Sequence, residues 1–189
     1  RVQKVSYLDR EVKIELNQEK LKEPVWLHQT HSATVHRLGS KIRGLQGDGL
    51  VTKTHEIPCA IKVADCVPVF LSDVGGTEVA AIHAGWRGLL SGIMENGVTA
   101  FDSPPSKIVA WIGPSISKTE YPVGPELKKI FLAKNLQYAR FFQTIDERIH
   151  FDIREAVKHN LLELGVTKIA ETPRCVYREK KSFYSFRRE

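Results

Sequence analysis

Two apolar, β-branched runs separated by a strong turn signal do most to restrict the fold of this chain. The first covers residues 59–71 and the second residues 78–83, and the sequence Ser-Asp-Val-Gly-Gly-Thr joins them. Such runs around a short glycine-rich segment predict an antiparallel β-hairpin. In the first run, Asp65 and Cys66 follow the mostly apolar residues 60–64. His83 is the last residue of the second run. The predicted hairpin could therefore bring a thiol and an imidazole to one point.

The rest of the chain alternates short strand signals with helical ones. Strands are predicted at 25–27, 34–38, 50–52, 108–112, 168–170 and 182–186, and residues 2–16 alternate like exposed strands. Apolar spacing predicts helices over 89–98, 125–135 and 153–164, the last opened by a capping-box pattern at Asp152 and Glu155. Strands outnumber helices, and hairpins occur beside strand–helix units. This pattern predicts an α+β fold with mixed β-sheets covered by helices.

Length and composition predict one compact domain over residues 1–189. The chain has 42% hydrophobic and 26% charged residues, which is ordinary globular composition with enough apolar residues for a substantial core. Its net charge is +6 with a pI near 9.2. A basic balance permits a nucleic-acid or phosphate partner, but no basic stripe alternates with aromatic residues. We therefore expect no nucleic-acid partner.

The absence of certain sequence patterns indicates the cellular location of the protein and the redox state of its cysteines. No apolar run approaches the roughly 20 residues of a membrane span, so no membrane partner is expected. No apolar stretch follows Arg1 in the manner of a signal peptide, and a cytoplasmic location is expected. The three cysteines, at positions 59, 66 and 175, are odd in number and widely spaced, which predicts reduced thiols.

Cysteine and histidine are the candidate chemical groups. Cys66, His83 and the upstream His31 are residue types that bind a borderline-soft metal or form a nucleophile–base pair. Each alone has a plainer explanation, because a lone cysteine is often a small buried hydrophobe. No Cys-x-x-Cys pair is present, so spacing alone leaves the metal and non-metal explanations open.

The residues after His83 favour a binding site. Gly85 and Gly88 remove side-chain bulk on both sides of Trp86 and Arg87, which would let a ligand approach the backbone. Arg87 offers a planar fork of donors for an oxyanion. A strand end that serves packing alone would not need this combination.

Seven short motifs occur in one order along the chain. They are Gln29-x-His31, Asp48-Gly49, Ala64-Asp65-Cys66-x-Pro68, His83-Ala84-Gly85-Trp86-Arg87-Gly88, Ile112-Gly113-Pro114-x-Ile116, Tyr121-x-Val123-Gly124 and Phe183-x-Ser185-x-Arg187-Arg188. Together they resemble the YfiH/laccase-domain family, also called DUF152 or the multicopper polyphenol oxidase family. The resemblance runs from about Trp26 to Arg188, and the motifs around Cys66 and His83 are its most specific part.

The resemblance implies a fold and an activity. It implies a layered α/β/β/α sandwich similar to a bacterial toxin deamidase of the CNF type, with one zinc ion held by His31, Cys66 and His83. Members of the family are described as acting on purine nucleosides with phosphate. They cleave adenosine, inosine, guanosine and methylthioadenosine by phosphorolysis and deaminate adenosine, and a bacterial branch is linked to editing of peptidoglycan precursors.

The chain departs from the family pattern near its ends. The usual Thr-Arg-x-Gly-Gly-x-Ser loop does not precede Trp26, and the usual Thr-Gly-Arg does not follow Arg187-Arg188. Ser32 stands where the family usually has glycine. The resemblance therefore predicts a member with a shortened N-terminal segment.

Two groups of roles are predicted for the site. Three protein ligands would leave the fourth position on zinc open, which is the pattern of a catalytic site. Asp65 is expected to move the proton in deamination, and Cys66 to act as ligand or nucleophile. The substrate and phosphate are expected to contact Gln29, Gly85, Arg87 and Gly88.

Three other functions stay open. Copper on the same three ligands would suit a polyphenol oxidase, although seven histidines are too few for a set of multicopper clusters. A metal-free hydrolase or amidase, suited to peptidoglycan-precursor editing, would use Cys66 as nucleophile and His83 as base. In a non-catalytic binding protein the zinc ion would be structural. The sequence leaves the oligomeric state open.

Overall fold

The computed structural model describes residues 23–38, 44–54 and 57–189, which hold eleven strands and four α-helices. The strands are β1 (Val25–Trp26), β2 (Val35–Arg37), β3 (Gly49–Thr52), β4 (Cys59–Ala60), β5 (Val67–Asp73), β6 (Val79–Ala84), β7 (Ile108–Ile112), β8 (Pro122–Val123), β9 (Phe142–Ile145), β10 (Arg148–Phe151) and β11 (Lys168–Glu171). The helices are α1 (Trp86–Ser91), α2 (Ile93–Thr99), α3 (Pro125–Lys134) and α4 (Ile153–Glu163). The strands predicted within residues 2–16 lie outside the described residues.

A six-stranded mixed sheet forms the centre of the fold. Its strand order is β11-β7-β5-β6-β3-β2, with β5 antiparallel to both β6 and β7 and with parallel pairs at the two edges. A smaller antiparallel sheet has the order β8-β10-β9, and β1 pairs with β4 in parallel. These mixed sheets with few helices confirm the predicted α+β class.

The predicted hairpin is present as β5 and β6, but its first strand is shorter than expected. Pro68 lies opposite His83, and Ser72 lies opposite Val79. β4 pairs with β1 outside the central sheet, and between β4 and β5 Asp65 adopts a left-handed backbone conformation with φ of 87°, which an extended strand cannot accommodate. Cys66 consequently lies directly before β5 and faces the end of β6.

One face of the central sheet is covered by α2 and α4. Val69 and Leu71 of β5 and Ile82 of β6 are buried there with Met94 of α2 and Leu161 of α4. Each such side chain contributes roughly 1.5–3 kcal/mol when fully buried. This shared core fixes the hairpin in the middle of the sheet, and therefore fixes the two ends that carry Cys66 and His83.

The helical predictions hold with one break. The predicted helix over 89–98 is two helices, because Gly92 has a left-handed φ of 96° and separates α1 from α2. The helices predicted over 125–135 and 153–164 are α3 and α4. At the start of α4 the Asp152 carboxylate accepts a hydrogen bond from the backbone N–H of Glu155, as the capping pattern indicates.

The predicted strand over 182–186 is wrong. Residues 183–185 have no regular secondary structure, and turns flank them on both sides. The Arg188 guanidinium draws the segment inward by donating to the carbonyl oxygens of Val176, Tyr177 and Phe183. These hydrogen bonds, rather than pairing with a neighbouring strand, hold the segment in place. In the described part of the chain, no helix is long and apolar enough to span a membrane.

Candidate metal centre

The structure brings the three predicted metal ligands together from separate elements. His31 lies in the loop between β1 and β2, Cys66 directly precedes β5, and His83 lies in β6. One ligand atom from each lies within 4.8 Å of the other two. The two imidazole rings meet edge to face, with centroids 4.8 Å apart. Two imidazoles and a thiol can converge on one ion at this point.

Gly85 makes room for this convergence. A Cβ atom at position 85 would lie 2.9 Å from Cδ2 of His31 and 3.1 Å from Sγ of Cys66. At Gly88 a Cβ atom would lie 2.7 Å from the backbone oxygen of Ser32. Gly85 thus allows His31 and Cys66 to pack closely against the start of α1. Gly88 allows the same for the loop that contains Ser32. Contact of their backbones with phosphate stays a prediction, and these crowded surroundings give it no support.

A buried carboxylate, that of Asp48, orients both histidines. It accepts a hydrogen bond from Nδ1 of His83 at 2.8 Å. It also accepts the backbone N–H groups of Thr30, His31 and Ser32, at 3.2, 3.0 and 2.6 Å, and the Ser32 hydroxyl at 2.7 Å. These bonds hold His31 in a left-handed conformation with φ of 60°. Asp48 therefore sets the position of the loop that carries one donor and the ring orientation of another.

The bond to Asp48 also determines which atom of His83 faces the cluster. Because Nδ1 is engaged by a carboxylate, Nε2 is the nitrogen left to bind a metal ion. A histidine with a carboxylate behind it is the usual arrangement around a metal. Sequence reasoning missed this role, since Asp48 was considered only as part of the Asp48-Gly49 motif. The available signal was an acidic residue between Gly47 and Gly49.

Electrostatics favour the ion-pair form of the metal-free cluster. Burial disfavours the charge on Asp48, but hydrogen bonds from His83 and Ser32 hold its pKa well below the usual range. Burial likewise opposes charge on His83, and the bonds to Asp48 and Cys66 outweigh it and raise the pKa of His83. Desolvation also opposes the charge on the half-buried thiol of Cys66, yet its two histidine neighbours lower its pKa. A thiolate is the form that a metal ion or an electrophile requires.

The cluster opens into a cleft of about 540 Å³, within the usual range for small-molecule sites. Four aromatic residues, Trp86, Tyr121, Tyr184 and Phe186, contribute to its walls. Burial first, with the nearby charge of Cys66, raises the pKa of Tyr121 to about 12. The phenol is therefore protonated at neutral pH. This lining combines flat apolar surfaces with polar donors.

Asp65 lines the cleft, but its carboxylate is already engaged. One oxygen accepts the Ser185 hydroxyl at 2.6 Å, and the other accepts the backbone N–H of Arg187 at 2.7 Å. Both partners come from the last seven residues of the chain. These bonds suit a residue that positions the C-terminal segment, and they leave the predicted proton-moving role without support.

The Gln29 side chain is occupied by hydrogen bonds within the protein, whereas the Arg87 side chain can contact a ligand in the cleft. Both amide atoms of Gln29 bond to the backbone of Lys62, one donating to its oxygen at 2.7 Å and one accepting its N–H at 2.6 Å. Gln29 therefore ties the His31 loop to the segment before Cys66. The Arg87 guanidinium lies over the Trp86 ring, 4.3 Å from its centroid, and faces the cleft.

Comparison with known proteins assigns the chain to a family. The family model described as multi-copper polyphenol oxidoreductase laccase matches residues 3–189. The chain belongs to this laccase-domain family. Purine nucleoside phosphorylase YfiH of Escherichia coli K12 is 37% identical over 167 residues, which span 88% of this chain and 69% of that protein. A purine nucleoside phosphorylase of Haemophilus influenzae is 35% identical over 169 residues, with the same coverage of both chains.

Solved structures of laccase-domain proteins share the fold. A Neisseria meningitidis DUF152 protein has a TM-score of 0.81 at 33% identity, covering 87% of this chain and 69% of its own. The YfiH protein of Bacillus licheniformis has a TM-score of 0.83 at 29% identity, covering 90% of this chain and 71% of its own. Both the predicted fold class and the predicted family are confirmed.

The donor set suits a single zinc or copper ion. Nitrogen from two imidazoles and sulfur from one thiolate are ligands that both metals accept. The space beside Gly85, which any side chain would fill, lies against two of these donors. Within residues 23–38, 44–54 and 57–189, this is the single group of three or more such side chains able to hold a metal. The described residues therefore hold one candidate metal site, open to the cleft.

Proposed function

We propose that this laccase-domain chain is a zinc-dependent purine nucleoside phosphorylase. The observation that carries the proposal is the convergence of His31, Cys66 and His83 at the base of an aromatic-lined cleft. The names of the relatives from Escherichia coli and Haemophilus influenzae support the same reaction class. The substrates would be purine nucleosides and inorganic phosphate.

His31, Cys66 and His83 would hold the zinc ion, with Asp48 behind them. Three protein ligands leave a position open for substrate, as in catalytic zinc sites. When bound, zinc would supply Lewis acidity that polarises a substrate atom. Copper is the alternative metal on the same donors. A multicopper oxidase needs several such ligand groups, so the single group in the described residues favours the nucleoside reaction.

The other residues of the cleft would bind and orient the two substrates. In phosphorolysis a phosphate oxygen bonds to ribose C1′ while the C1′–N9 bond breaks, and the electron pair leaves with the purine, which takes up a proton. The guanidinium of Arg87 would hold the phosphate by charge-assisted hydrogen bonds. Trp86 and Phe186 offer flat faces for the purine. The protonated Tyr121 hydroxyl could donate a hydrogen bond to the departing base.

Adenosine deamination has less support from this geometry. The reaction needs a carboxylate beside the reacting carbon to transfer the proton. Asp65 is bonded to Ser185 and Arg187, and Asp48 is buried behind His83. Deaminase activity therefore stays an expectation from the family resemblance.

Metal content and phosphate dependence together test the main proposal. Protein purified without added metal should contain about one zinc per chain by elemental analysis. It should release adenine and ribose 1-phosphate from adenosine only when phosphate is present, and a chelator should abolish the release. Cys66→Ala should lose both metal and activity, whereas Cys59→Ala, a thiol outside the cluster, should keep both. Release of adenine without phosphate would contradict the proposal.

A metal-free cysteine hydrolase is the second candidate, favoured by one observation. Cys66 has a lowered pKa beside His83, and Asp48 orients that imidazole, as in a nucleophile–base–acid triad. For this candidate, alkylation of Cys66 should abolish amide hydrolysis and chelation should not. Loss of activity on chelation alone would exclude it.

A further inference from the structure

The C-terminal residues 183–188 carry a second guanidinium into the cleft. This segment, the C-terminal arm, contributes Tyr184, Phe186 and Arg187 to the lining. Asp65, the residue before Cys66, binds it through the Ser185 hydroxyl and the Arg187 backbone N–H. Ser185 and Asp65 are both buried. The arm is therefore fastened to the loop that carries the thiol, and the place of Arg187 is set by the site itself.

Arg187 lies against one wall of the cleft. Its guanidinium carbon lies 4.9 Å from the centroid of the Tyr121 ring, and one of its nitrogens donates to the carbonyl oxygen of Pro122 at 2.9 Å. A guanidinium has five N–H donors, so most of its donors stay available. Stacking on a ring leaves these donors at the edges, which suits bidentate binding of an oxyanion.

Arg87 also stacks on an aromatic ring that lines the cleft. It stacks on Trp86, and its charge and that of Arg187 both reach the Tyr121 hydroxyl, where each favours the phenolate. Two guanidinia thus line the same cleft as Cys66 and the buried Tyr121. Lys62 adds a third cation to the cleft lining.

Neither of these arginines is neutralised by a carboxylate in the part of the chain that the structure describes. Arg37, Arg174 and Arg178 do pair with acidic side chains there. The one acidic residue lining the cleft is Asp65, and both of its oxygens accept hydrogen bonds from the C-terminal arm. The cleft therefore has two ring-stacked guanidinia and an excess of positive charge, which attracts an anion.

We propose that Arg87 and Arg187 together form a subsite for a phosphate group, with the C-terminal arm supplying the second guanidinium and Asp65 positioning it. This rests on the proposed function for its source of phosphate, which is inorganic phosphate as co-substrate. The same chemistry would also bind the phosphate of a nucleoside monophosphate. Arg187 is thereby a binding residue for phosphate, and Asp65 a positioning residue.

Binding of phosphate and of adenosine can be measured separately from turnover. Isothermal titration of the protein as purified should give a dissociation constant for inorganic phosphate that Arg187→Ala raises about 10-fold or more, because charge-assisted bonds are lost. Arg187→Lys keeps the charge but loses the bidentate donor geometry. Its dissociation constant for phosphate should therefore lie between those of the unmodified protein and Arg187→Ala. The affinity for adenosine should change less than about 2-fold. Arg148→Ala, an exposed arginine outside the cleft lining, should match the unmodified protein.

The titrations distinguish the two phosphate sources and separate this inference from the proposed function. Arg187-dependent binding of adenosine 5′-monophosphate without binding of inorganic phosphate would support the subsite and name the other source. Arg187-dependent phosphate binding in a protein without nucleoside turnover would support the subsite and contradict the proposed function. Phosphate-dependent turnover with an unchanged phosphate KM in Arg187→Ala would overturn the subsite and leave the proposed function intact.

Discussion

Asp48 illustrates how one buried side chain can set the geometry of several others. Its carboxylate bonds to the ring of His83 and to the backbone of the loop at residues 30–32. Since His31 lies in that loop, both histidine donors depend on the same acceptor. Metal affinity should therefore respond to Asp48 although it is not itself a donor.

Replacing Asp48 by asparagine should weaken zinc binding about 10- to 100-fold, because the amide cannot match the carboxylate as acceptor for both His83 and the loop. Competition with a chromophoric chelator measures the change. Asp73→Asn is the matched control, since Asp73 is also buried and accepts the backbone N–H groups of Thr77 and Glu78. That variant should lower the melting temperature and leave zinc affinity unchanged. Equal zinc affinities in both variants would contradict the role of Asp48.

Cys66 should be unusually reactive once the metal is removed. Its pKa is lowered, so the thiolate fraction at pH 7–8 exceeds that of an ordinary thiol and alkylation should begin at a lower pH. Cys59 is an internal control, because burial raises its pKa to about 12. Peptide mapping after iodoacetamide treatment across pH 6–10 separates the two sites. Modification of Cys66 that rises only above the pH typical of free cysteine would contradict the ion-pair form.

At the scale of elements, α1 must approach the loop that carries His31. Gly88 allows this approach, since a Cβ atom there would contact the backbone oxygen of Ser32. Gly88→Ala should displace that loop and weaken zinc binding about 10-fold or more, although alanine itself favours a helix. Ser91→Ala, an exposed position of the same helix, is the control. Unchanged zinc affinity in Gly88→Ala would show that the loop adapts without moving His31.

The C-terminal arm offers a second prediction at this scale. Ser185→Ala removes the hydroxyl that Asp65 accepts but retains both guanidinia of the cleft. The arm should become less ordered, so the KM for phosphate should rise a few-fold, less than in Arg187→Ala. The kcat and the KM for adenosine should change little. A larger effect on adenosine than on phosphate would indicate that the arm serves the purine instead.

At the scale of the whole molecule, a bound metal would connect three separate parts of the fold. Zinc at about 100 times its dissociation constant should stabilise the folded state by about 2.7 kcal/mol, which raises the melting temperature of a chain this size by about 5–10 °C. Differential scanning calorimetry with and without chelator measures the shift. His31→Ala should melt at nearly the same temperature under both conditions. A chelator effect of equal size in that variant would place the stabilising metal elsewhere.

Local patterns were enough to predict the centre of the fold and the proximity of Cys66 to His83. The hairpin that presents Cys66 and His83 follows from neighbouring apolar runs and one turn, all within about 25 residues. Assignment of the two residues as metal ligands together with His31 required the family resemblance, since nothing in the spacing relates His31 to the hairpin. The fold class followed from the alternation of strand and helix signals.

Long-range pairing explains what the sequence did not reveal. Asp48 reaches His83 because β3 pairs with β6, a register that local patterning does not encode. The C-terminal arm has the alternation of a strand, yet Asp65 binds it from 120 positions away. Because these bonds occupy its carboxylate, Asp65 is not free to transfer a proton. The motif alone could not indicate this.

The three donors differ in how firmly the fold holds them. Cys66 and His83 face each other for as long as β5 and β6 remain paired in the centre of the sheet. His31 instead depends on a loop in a left-handed conformation, held through Asp48. The candidate metal site therefore has two donors held by the central sheet and one donor held by a loop. If a related protein lost metal binding during evolution, we would expect the loop with His31 to change first. The Cys66–His83 pair would remain and could serve a different reaction.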